Sequence, residues 1–410
     1  MDTLTRRRLL IASGVVGAGA LAAGATAYSM RDIFDTAGEK PAEDGTLVVV
    51  TLYGGNDGLN TVVPHGDPAY QDARPELAYA ADTVLPLTGE AGLNPALKGL
   101  HRLYGEGRLA IVRGVGYPKP DRSHFRSMDI WQTAQPDRPG TTGWLGRWLD
   151  EYGRDPRLAI SFEPVLPPLM AGAHSAGAAV PLAGRKRATA LTGATEGFAA
   201  AQAGESPLQA RAAACFGDLR AVDAMIKDVR DGTTAEPSEG NGADPATGTG
   251  GQTALDAQLD LVAQCVEARI VTRAYSVSLG GFDTHADEKQ LQEILLGQVD
   301  NAVARFVERM SHTDAGRKVV VAIYSEFGRR VRANASEGTD HGTASNVFLL
   351  GAGVRGGLHG EMPSLTDLDD GDLRFTTDFR DVYAMLLADV LGADPAAVLA
   401  GWKTRLATLG

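Results

Sequence analysis

Several short segments of the chain consist of apolar and β-branched residues without a polar interruption. Thr46–Leu52, with the sequence TLVVVTL, is followed by a turn-forming cluster of glycine, asparagine and aspartate. An apolar run of this length predicts a strand that is buried on both faces of a sheet. The same pattern predicts further strands at Arg108–Val112, Leu158–Phe162, Ala274–Leu279, Lys318–Tyr324 and Asn346–Leu350.

Segments with helical periodicity lie between these runs. In Glu288–Met310 the apolar residues from Leu291 onwards, including Ile294, recur at i, i+3 and i+4, which predicts a helix with one buried face. Asp378–Leu391 predicts a second helix, with Asp378 as its N-cap. Strands that alternate with helices favour the α/β fold class, in which a mostly parallel sheet carries helices on both faces.

Residues 231–253 are rich in glycine, serine, threonine and proline, so we predict a flexible surface insertion there. The insertion separates two predicted helices at 206–230 and 254–270. The two cysteines of the chain, Cys215 and Cys265, fall one on each of these helices. A disulfide between them and two unpaired core thiols fit the sequence equally well.

The composition is that of a globular protein, with 44% hydrophobic and 22% charged residues in a chain of 410. The net charge of −12, without a basic stripe, argues against nucleic acid as a partner. Two cysteines are too few for a disulfide scaffold or for a cysteine-ligated zinc site. We expect a single α/β domain over residues 46–410.

The first 27 residues have the pattern of an export signal. The segment TRRRLL at 5–10 is similar to the twin-arginine motif, a Gly/Ala-rich apolar run follows it, and the small residues at 25–27 suit cleavage. We predict that residues 1–27 form a twin-arginine signal peptide, with the twin-arginine translocase as the export partner, and that residues 28–45 form a tether. The mature chain would then be periplasmic or extracellular, whereas a retained signal would anchor it in the membrane.

Acidic residues and histidines lie at the ends of the predicted strands. Asp57 follows the first strand, Asp283 and His285 follow the fourth, Glu326 follows the fifth, and Asp340 and His341 come just before the sixth. The carboxyl ends of parallel strands meet at one edge of a sheet, which is where open α/β sheets bind ligands. Mixed carboxylate and imidazole ligands suit Zn²⁺, Mn²⁺ or Fe, and Mg²⁺ and Ca²⁺ stay open as further divalent ions. The pattern therefore predicts a metal site of the kind that hydrolyses phosphate or sulfate esters.

Each of these residues also has a structural interpretation. Asp57, after a glycine-rich turn, could be a cap or turn residue. Glu326 could pair with Arg329 or Arg330. The combination favours the metal site, because three of the predicted strands end in such residues. The chain has only 8 histidines, so their occurrence at these strand ends is notable.

Ser123 precedes a predicted helix and is a candidate nucleophile. A serine at this place is most often an N-cap, but the helix N-terminus would also stabilise negative charge on an attacking hydroxyl. Arg329, together with Arg122, could orient an anionic ester through bidentate hydrogen bonds. Arg126 and Arg330 fit ordinary surface positions better.

The chain resembles the DUF1501 family, whose members are exported by the twin-arginine route and have no known function. The resemblance covers nearly the whole mature chain, through the segments LVVVTLYGGNDGLNTVVPHGD, RSHFRSMDIWQTA, TGWLGRWLD, GFDTHA, SEFGRRVRANASEGTDHG and TTDFRDVYA. The family is similar to the alkaline phosphatase and sulfatase superfamily. The resemblance therefore implies a three-layer α/β core, usually two metal ions, and a Ser, Thr or modified Cys nucleophile at a helix start.

The resemblance also implies roles for individual residues. Asp57 matches the first metal carboxylate, Ser123 is similar in position to the nucleophile, and Asp283 with His285 looks like the Asp-and-His pair of one metal.

Glu326 stands where the superfamily has the Asp of an Asp-His pair, but Phe327 replaces the histidine. His341 is placed like the final histidine ligand. In a second alignment Asp340 and His341 form the Asp-His pair, and His359 is the last ligand.

The function expected from these features is that of an exported metal-dependent hydrolase of phosphate or sulfate esters, which acts on an anionic small molecule. The alternative is an exported, non-catalytic binding or assembly protein on a degenerate phosphatase-like scaffold. Phe327, in place of a ligand histidine, favours the alternative.

Overall fold

We describe a computed structural model of the chain, for residues 26–27, 33–39, 45–163, 166–180 and 254–407. Most of the predicted signal peptide and tether lie outside these residues. The same holds for the predicted helix at 206–230 with Cys215, and for the insertion at 231–253. Cys265 lies in the described part and is a buried free thiol.

One large sheet forms the centre of the molecule, and two small sheets flank it. The strands are, in chain order, β1 (Thr26–Ala27), β2 (Thr46–Leu52), β3 (Val62–Val63), β4 (Leu85–Pro86), β5 (Gly92–Leu93), β6 (Leu109–Gly116), β7 (Ala159–Ser161), β8 (Ala178–Ala179), β9 (Ala274–Leu279), β10 (Val319–Ser325), β11 (Ser345–Leu350), β12 (Gly357–His359), β13 (Leu368–Asp369), β14 (Asp372–Leu373) and β15 (Thr377–Asp378). The predicted strands are confirmed, two of them with the bounds stated above.

The large sheet has the strand order β1-β8-β7-β9-β2-β10-β11-β6-β12, and β15 also pairs with β6. Among its described strands β11 alone runs antiparallel to the others, since it pairs in that sense with both β10 and β6. The remaining pairings are parallel. The sheet is therefore mixed but mostly parallel, as the alternation of elements predicts.

Helices cover both faces of this sheet. They are α1 (Gly58–Thr61), α2 (Pro68–Ala73), α3 (Lys98–Gly105), α4 (His124–Thr133), α5 (Trp144–Tyr152), α6 (Ala254–Glu267), α7 (Glu288–Ser311), α8 (Phe379–Met385) and α9 (Pro395–Val398), with 3-10 turns at Pro156–Leu158, Pro168–Met170 and Gly316–Lys318 and a π-helical turn at Leu386–Val390. No helix within the described ranges is both long enough and apolar enough to cross a membrane.

Alternate residues of β2 supply the two halves of the core. Val48 and Val50 face one apolar cluster, which α3, α6 and α7 also line. Leu47 and Val49 face a second cluster, which is closed by α4, α5 and α8. This alternation is the strand periodicity expected of a sheet that is buried on both faces.

The start of α7 departs from the sequence expectation. Leu291 and Ile294 are 47% and 52% exposed, although the periodicity places them on the buried face. Glu288 and Gln292 are buried there instead. The first turns of α7 therefore pack against polar groups at the carboxyl ends of the strands, and only the later turns pack against the apolar core.

Candidate metal centre

Asp283 lies at the centre of the candidate site. Its strand, β9, is paired in parallel with β2, which is in turn paired with β10, so the three carboxyl ends meet at one edge. Gly54, after β2, has a φ of +116°, and a Cβ atom there would come within 2.5 Å of the backbone nitrogen of Asp283. Glycine at this position allows the two loops to approach each other.

Three imidazole rings converge on the Asp283 carboxylate. The Nε2 atoms of His285 and His341 lie 3.0 and 3.1 Å from its Oδ1. The Nε2 atom of His124 lies 3.4 Å from Oδ2. The Nε2 atoms of His285 and His341 are themselves only 3.0 Å apart. These four side chains form a compact set of nitrogen and oxygen ligand atoms.

The opposite ring nitrogen of each histidine faces an oxygen acceptor. His341 Nδ1 lies 2.8 Å from the carbonyl oxygen of Arg122, and His124 Nδ1 lies 2.8 Å from Glu326 Oε1. His285 Nδ1 is 3.5 Å from Asp340 Oδ1. Because a carbonyl oxygen can only accept, we assign the proton of neutral His341 to Nδ1.

This tautomer directs the Nε2 lone pair of His341 toward Asp283. The Nε2 atoms of His285 and His341 and the Oδ1 atom of Asp283 then lie in mutual contact, and at most one proton lies between the two nitrogens. Acceptor atoms in such close contact fit a bound cation, and the Nδ1 contacts correspond to the outer hydrogen bonds that orient metal-ligating histidines. The residues present therefore fit a divalent metal ion.

The protonation of the site reflects its charges. Burial disfavours the charged imidazolium of His124, but the nearby carboxylates of Asp283 and Glu326 outweigh burial and raise its pKa to about 9. Burial alone would raise the pKa of Asp283, but His124, His341 and Arg329 together hold it well below its usual range. Asp283 is therefore a carboxylate throughout the neutral pH range.

The Arg329 side chain is completely buried. A residue that binds a substrate from solvent would have to be accessible. Arg329 donates one 2.8 Å hydrogen bond to Asp283 Oδ1 and further bonds to the backbone carbonyls of Gly54, Gly55, Phe282 and Thr339. The sequence expectation that Arg329 orients an anion does not fit this placement. Instead, the guanidinium joins the three loops that carry the site.

Glu326 lies behind His124 and is 2% exposed. Its Oε1 accepts from the backbone nitrogen of Gly54 at 2.9 Å and faces His124 Nδ1, while Ser325 Oγ donates to Oε2 at 3.0 Å. The carboxylate is thus used to hold a histidine and does not face Asp283 directly. It does not form the arginine pair that the structural interpretation suggested.

The structure places Asp57 in a separate buried cluster, so the expectation that it ligates the metal is not met. Asp57 is the N-cap of α1, where its Oδ1 accepts from Leu59 N. The Arg74 guanidinium contacts both of its oxygens, and both side chains are fully buried. Burial would raise the pKa of Asp57, but Arg74 lowers it overall. Asp57 therefore neutralises the buried Arg74 and caps α1.

Ser123 is the N-cap of α4, as one sequence interpretation has it, but its side chain makes no capping hydrogen bond. The residue is exposed, and its backbone nitrogen donates to Asp121 Oδ1 at 2.8 Å. The neighbouring residues on both sides belong to the site, since the Arg122 carbonyl holds His341 and the His124 ring faces Asp283. Ser123 is therefore adjacent in sequence to two groups of the site.

The other candidate arginines pair with aspartates. Arg122 contacts both Asp370 and Asp372, and Arg330 lies within 3.6 Å of the same two carboxylates. Arg126 forms an i,i+3 pair within α4. The Arg122 contacts tie the β13–β14 hairpin to the segment before α4.

The sequence did not predict His124 as a member of the site. Its adjacency to Ser123, in a chain with 8 histidines, is the signal that could have found it. Phe327, at the position where the resemblance implies a histidine, packs against the rings of His124 and His341 with centroid distances of 4.9 and 5.0 Å. His359, the last ligand in the second alignment, lies on β12 and bonds to the Arg355 carbonyl instead.

Solved structures that are similar to this one include the following three. A protein in the alkaline phosphatase superfamily from Vibrio parahaemolyticus has 8% identity and a TM-score of 0.43, over 89% of this chain and 70% of that chain. Murine ectonucleotide pyrophosphatase/phosphodiesterase 5 has 9% identity and a TM-score of 0.39, over 86% and 96%. The phosphonate monoester hydrolase of Silicibacter pomeroyi has 10% identity and a TM-score of 0.36, over 89% and 78%.

A comparison with curated proteins found no match. Residues 104–409 match the family model described as Protein of unknown function (DUF1501). Because this match spans well over half of the sequence, the chain belongs to the DUF1501 family.

Proposed function

We propose that the protein is a metal-dependent hydrolase of phosphate or sulfate esters. The observation that carries the proposal is the meeting of Asp283 Oδ1 with His285 Nε2 and His341 Nε2, at mutual distances of 3.0–3.1 Å. Ligand atoms at about 2.0–2.2 Å from one ion stand roughly 3 Å apart. Asp283 and His285 are nearly half exposed, so a substrate can reach them.

A divalent cation held by these residues would supply a Lewis acid for an ester oxygen and would acidify a bound water. The chain contributes an exposed serine hydroxyl, that of Ser123, which makes no capping bond and is available as the nucleophile. The first amides of α4 would stabilise negative charge that develops there. An anionic ester is the substrate class that suits both features.

The proposal includes export by the twin-arginine translocase, which the segment TRRRLL at 5–10 supports. Replacing both Arg6 and Arg7 with lysine should leave the protein in the cytoplasm. Export that continues at the normal level in this variant would contradict the proposed route. Fractionation of the producing cells measures the outcome directly.

Turnover of aryl phosphates and aryl sulfates by the metal-loaded protein tests the catalytic part. Asp283→Ala and His341→Ala should each lower kcat/KM by at least about 100-fold, while His312→Ala, an exposed histidine at the end of α7, serves as the matched control. Unchanged turnover in Asp283→Ala would refute the proposal. Stoichiometric metal without turnover of any ester would favour the binding or assembly protein instead.

A further inference from the structure

We propose that the site holds one transition-metal ion of the imidazole-preferring class, such as Zn²⁺, Fe²⁺ or Co²⁺, and that it does not select Mg²⁺ or Ca²⁺. The ligands would be His124, Asp283, His285 and His341. The inference rests on the metal site of the proposed function, but it concerns which ion binds there and not which reaction follows.

His124 completes the ligand set. Its Nε2 atom is buried and has no hydrogen-bond partner, although the ring faces the Asp283 carboxylate at 3.4 Å. One ligand atom from each of His124, Asp283 and His341 can be chosen so that all three lie within 4.8 Å of one another. The contact between His124 Nδ1 and Glu326 orients the ring so that Nε2 faces the site. A bound cation gives the otherwise unpaired nitrogen its partner.

The donor set consists of three nitrogens and one carboxylate. Mg²⁺ and Ca²⁺ bind oxygen ligands, whereas imidazole suits Zn²⁺, Fe, Cu²⁺ and Ni²⁺. The carboxylates that could have made an oxygen-rich site are in use elsewhere. Glu326 holds His124, and Asp57 is paired with Arg74. Asp283 presents its oxygens to the Nε2 atoms of the three histidines at 3.0–3.4 Å. Glu326 and Asp340 face Nδ1 atoms instead.

The charges around the site suit a divalent ion. Asp283, Glu326 and Asp340 are the carboxylates that contact the three imidazoles, and Arg329 is the guanidinium on Asp283. Three carboxylates against one guanidinium leave two negative charges when the histidines are neutral. A single divalent cation neutralises them, and a second ion would leave an excess of positive charge.

The described part of the chain offers one converging ligand set. Within the described residues the histidine and aspartate cluster of this site is the single group of three or more potential ligands that converges in this way. The Phe327 ring covers the adjacent faces of His124 and His341 with apolar surface. The geometry therefore points to one ion per chain.

The test uses the full chain, stripped with a chelator and titrated by calorimetry with Zn²⁺, Co²⁺, Mg²⁺ or Ca²⁺ separately. We expect one equivalent of Zn²⁺ or Co²⁺, and a Co²⁺ visible spectrum more intense than that of the hexaaquo ion. Millimolar Mg²⁺ or Ca²⁺ should not displace the bound Zn²⁺ or Co²⁺. His124→Ala should weaken Zn²⁺ binding by at least about 10–100-fold and alter the Co²⁺ spectrum, whereas His312→Ala should change neither.

His124→Gln repeats the measurement with a larger polar side chain if the alanine variant does not fold. Two equivalents of metal, preferential binding of Mg²⁺ or Ca²⁺, or unchanged Zn²⁺ affinity and Co²⁺ spectrum in both His124 variants would overturn the inference. Tight Zn²⁺ binding without ester hydrolysis would support the inference and refute the proposed function. Hydrolysis that depends on Ca²⁺ or Mg²⁺ would do the reverse.

Discussion

Arg329→Lys separates the two roles that the sequence and the structure assign to this residue. The substitution keeps the positive charge but removes the planar fork of donors. In the structure this fork serves the Asp283 carboxylate and four backbone carbonyls, those of Gly54, Gly55, Phe282 and Thr339. A lysine ammonium has three donors at a single point and cannot reach all of these acceptors.

The size of the effect follows from the acceptors that lose their partner. The Phe282 carbonyl keeps a bond from the Thr284 amide, so three of the four carbonyls depend on Arg329. A lysine that keeps its bond to Asp283 can serve one or two of these three, so one or two carbonyl oxygens are left without a donor. Each such oxygen costs about 1–3 kcal/mol, and the free energy of unfolding should fall by about 1–6 kcal/mol. Because Arg329 also orients Asp283, Zn²⁺ affinity should fall by about 10–100-fold.

Urea denaturation of the metal-free protein measures the first quantity, and calorimetric titration with Zn²⁺ measures the second. Arg317→Lys is the matched control, because Arg317 is half exposed and pairs only with exposed groups. Its effect on unfolding should stay within about 0.5 kcal/mol. If Arg329→Lys raised only KM for the ester, with stability and Zn²⁺ affinity unchanged, the arginine would meet the substrate and our interpretation would be wrong.

Three further predictions concern buried charges. Arg74→Met strands the buried Asp57 carboxylate and should lower the free energy of unfolding by about 3–5 kcal/mol in urea titrations, and adding Asp57→Asn should recover much of the loss. Burial and the charge of Asp57 raise the pKa of Glu288 from 4.5 to about 9. The folded chain therefore keeps a proton that the unfolded chain loses between these values, so stability should decrease with rising pH across this window, by at most about 1.4 kcal/mol per pH unit. Glu288→Gln should flatten that dependence. Asp300→Ala removes the acceptors of the first amides of α3 and should cost about 1–2 kcal/mol.

Each of these has an outcome that would contradict it. A double variant at Arg74 and Asp57 no more stable than Arg74→Met would mean that the stranded charge is not the cause. A Glu288→Gln protein with the pH dependence of the natural chain would place the retained proton elsewhere. An Asp300→Ala protein of unchanged stability would show that solvent replaces the capping bonds fully.

The strands of the central sheet could be predicted because they are uninterrupted apolar runs. β2 and β9 have the predicted bounds, and β10 and β11 differ from prediction by a single residue at one end or both. The direction of β11 could not be predicted, since hydrophobicity carries no information on chain direction. Nor could the short edge strands β12 and β15, whose two or three residues are too few for any periodicity.

The site was predictable where a strand end alone decides the position of a side chain. Asp283 and His285 come soon after β9 and lie at the site for that reason, whereas His341 precedes β11 and reaches the same edge because β11 runs antiparallel. His124 was not predicted, because its role depends on Glu326, 202 residues further along the chain. The burial of Glu288 was not predicted either, because helical periodicity assigned Leu291 to the buried face. Periodicity contains no information on the polar groups against which the start of α7 packs.

The contrast between Asp57 and Asp283 explains why the strand-end pattern overstates the number of ligands. Both carboxylates follow parallel neighbouring strands, and each contacts a buried arginine. Arg74 contacts both oxygens of Asp57, which is fully buried. Arg329 gives Asp283 a bond to one oxygen and spends its remaining donors on carbonyls, so Asp283 stays 47% exposed and faces three imidazoles. The arginines therefore decide which carboxylate is available for a metal. Since one of them lies 17 residues after its aspartate and the other 46 residues after it, no local pattern could have made that distinction.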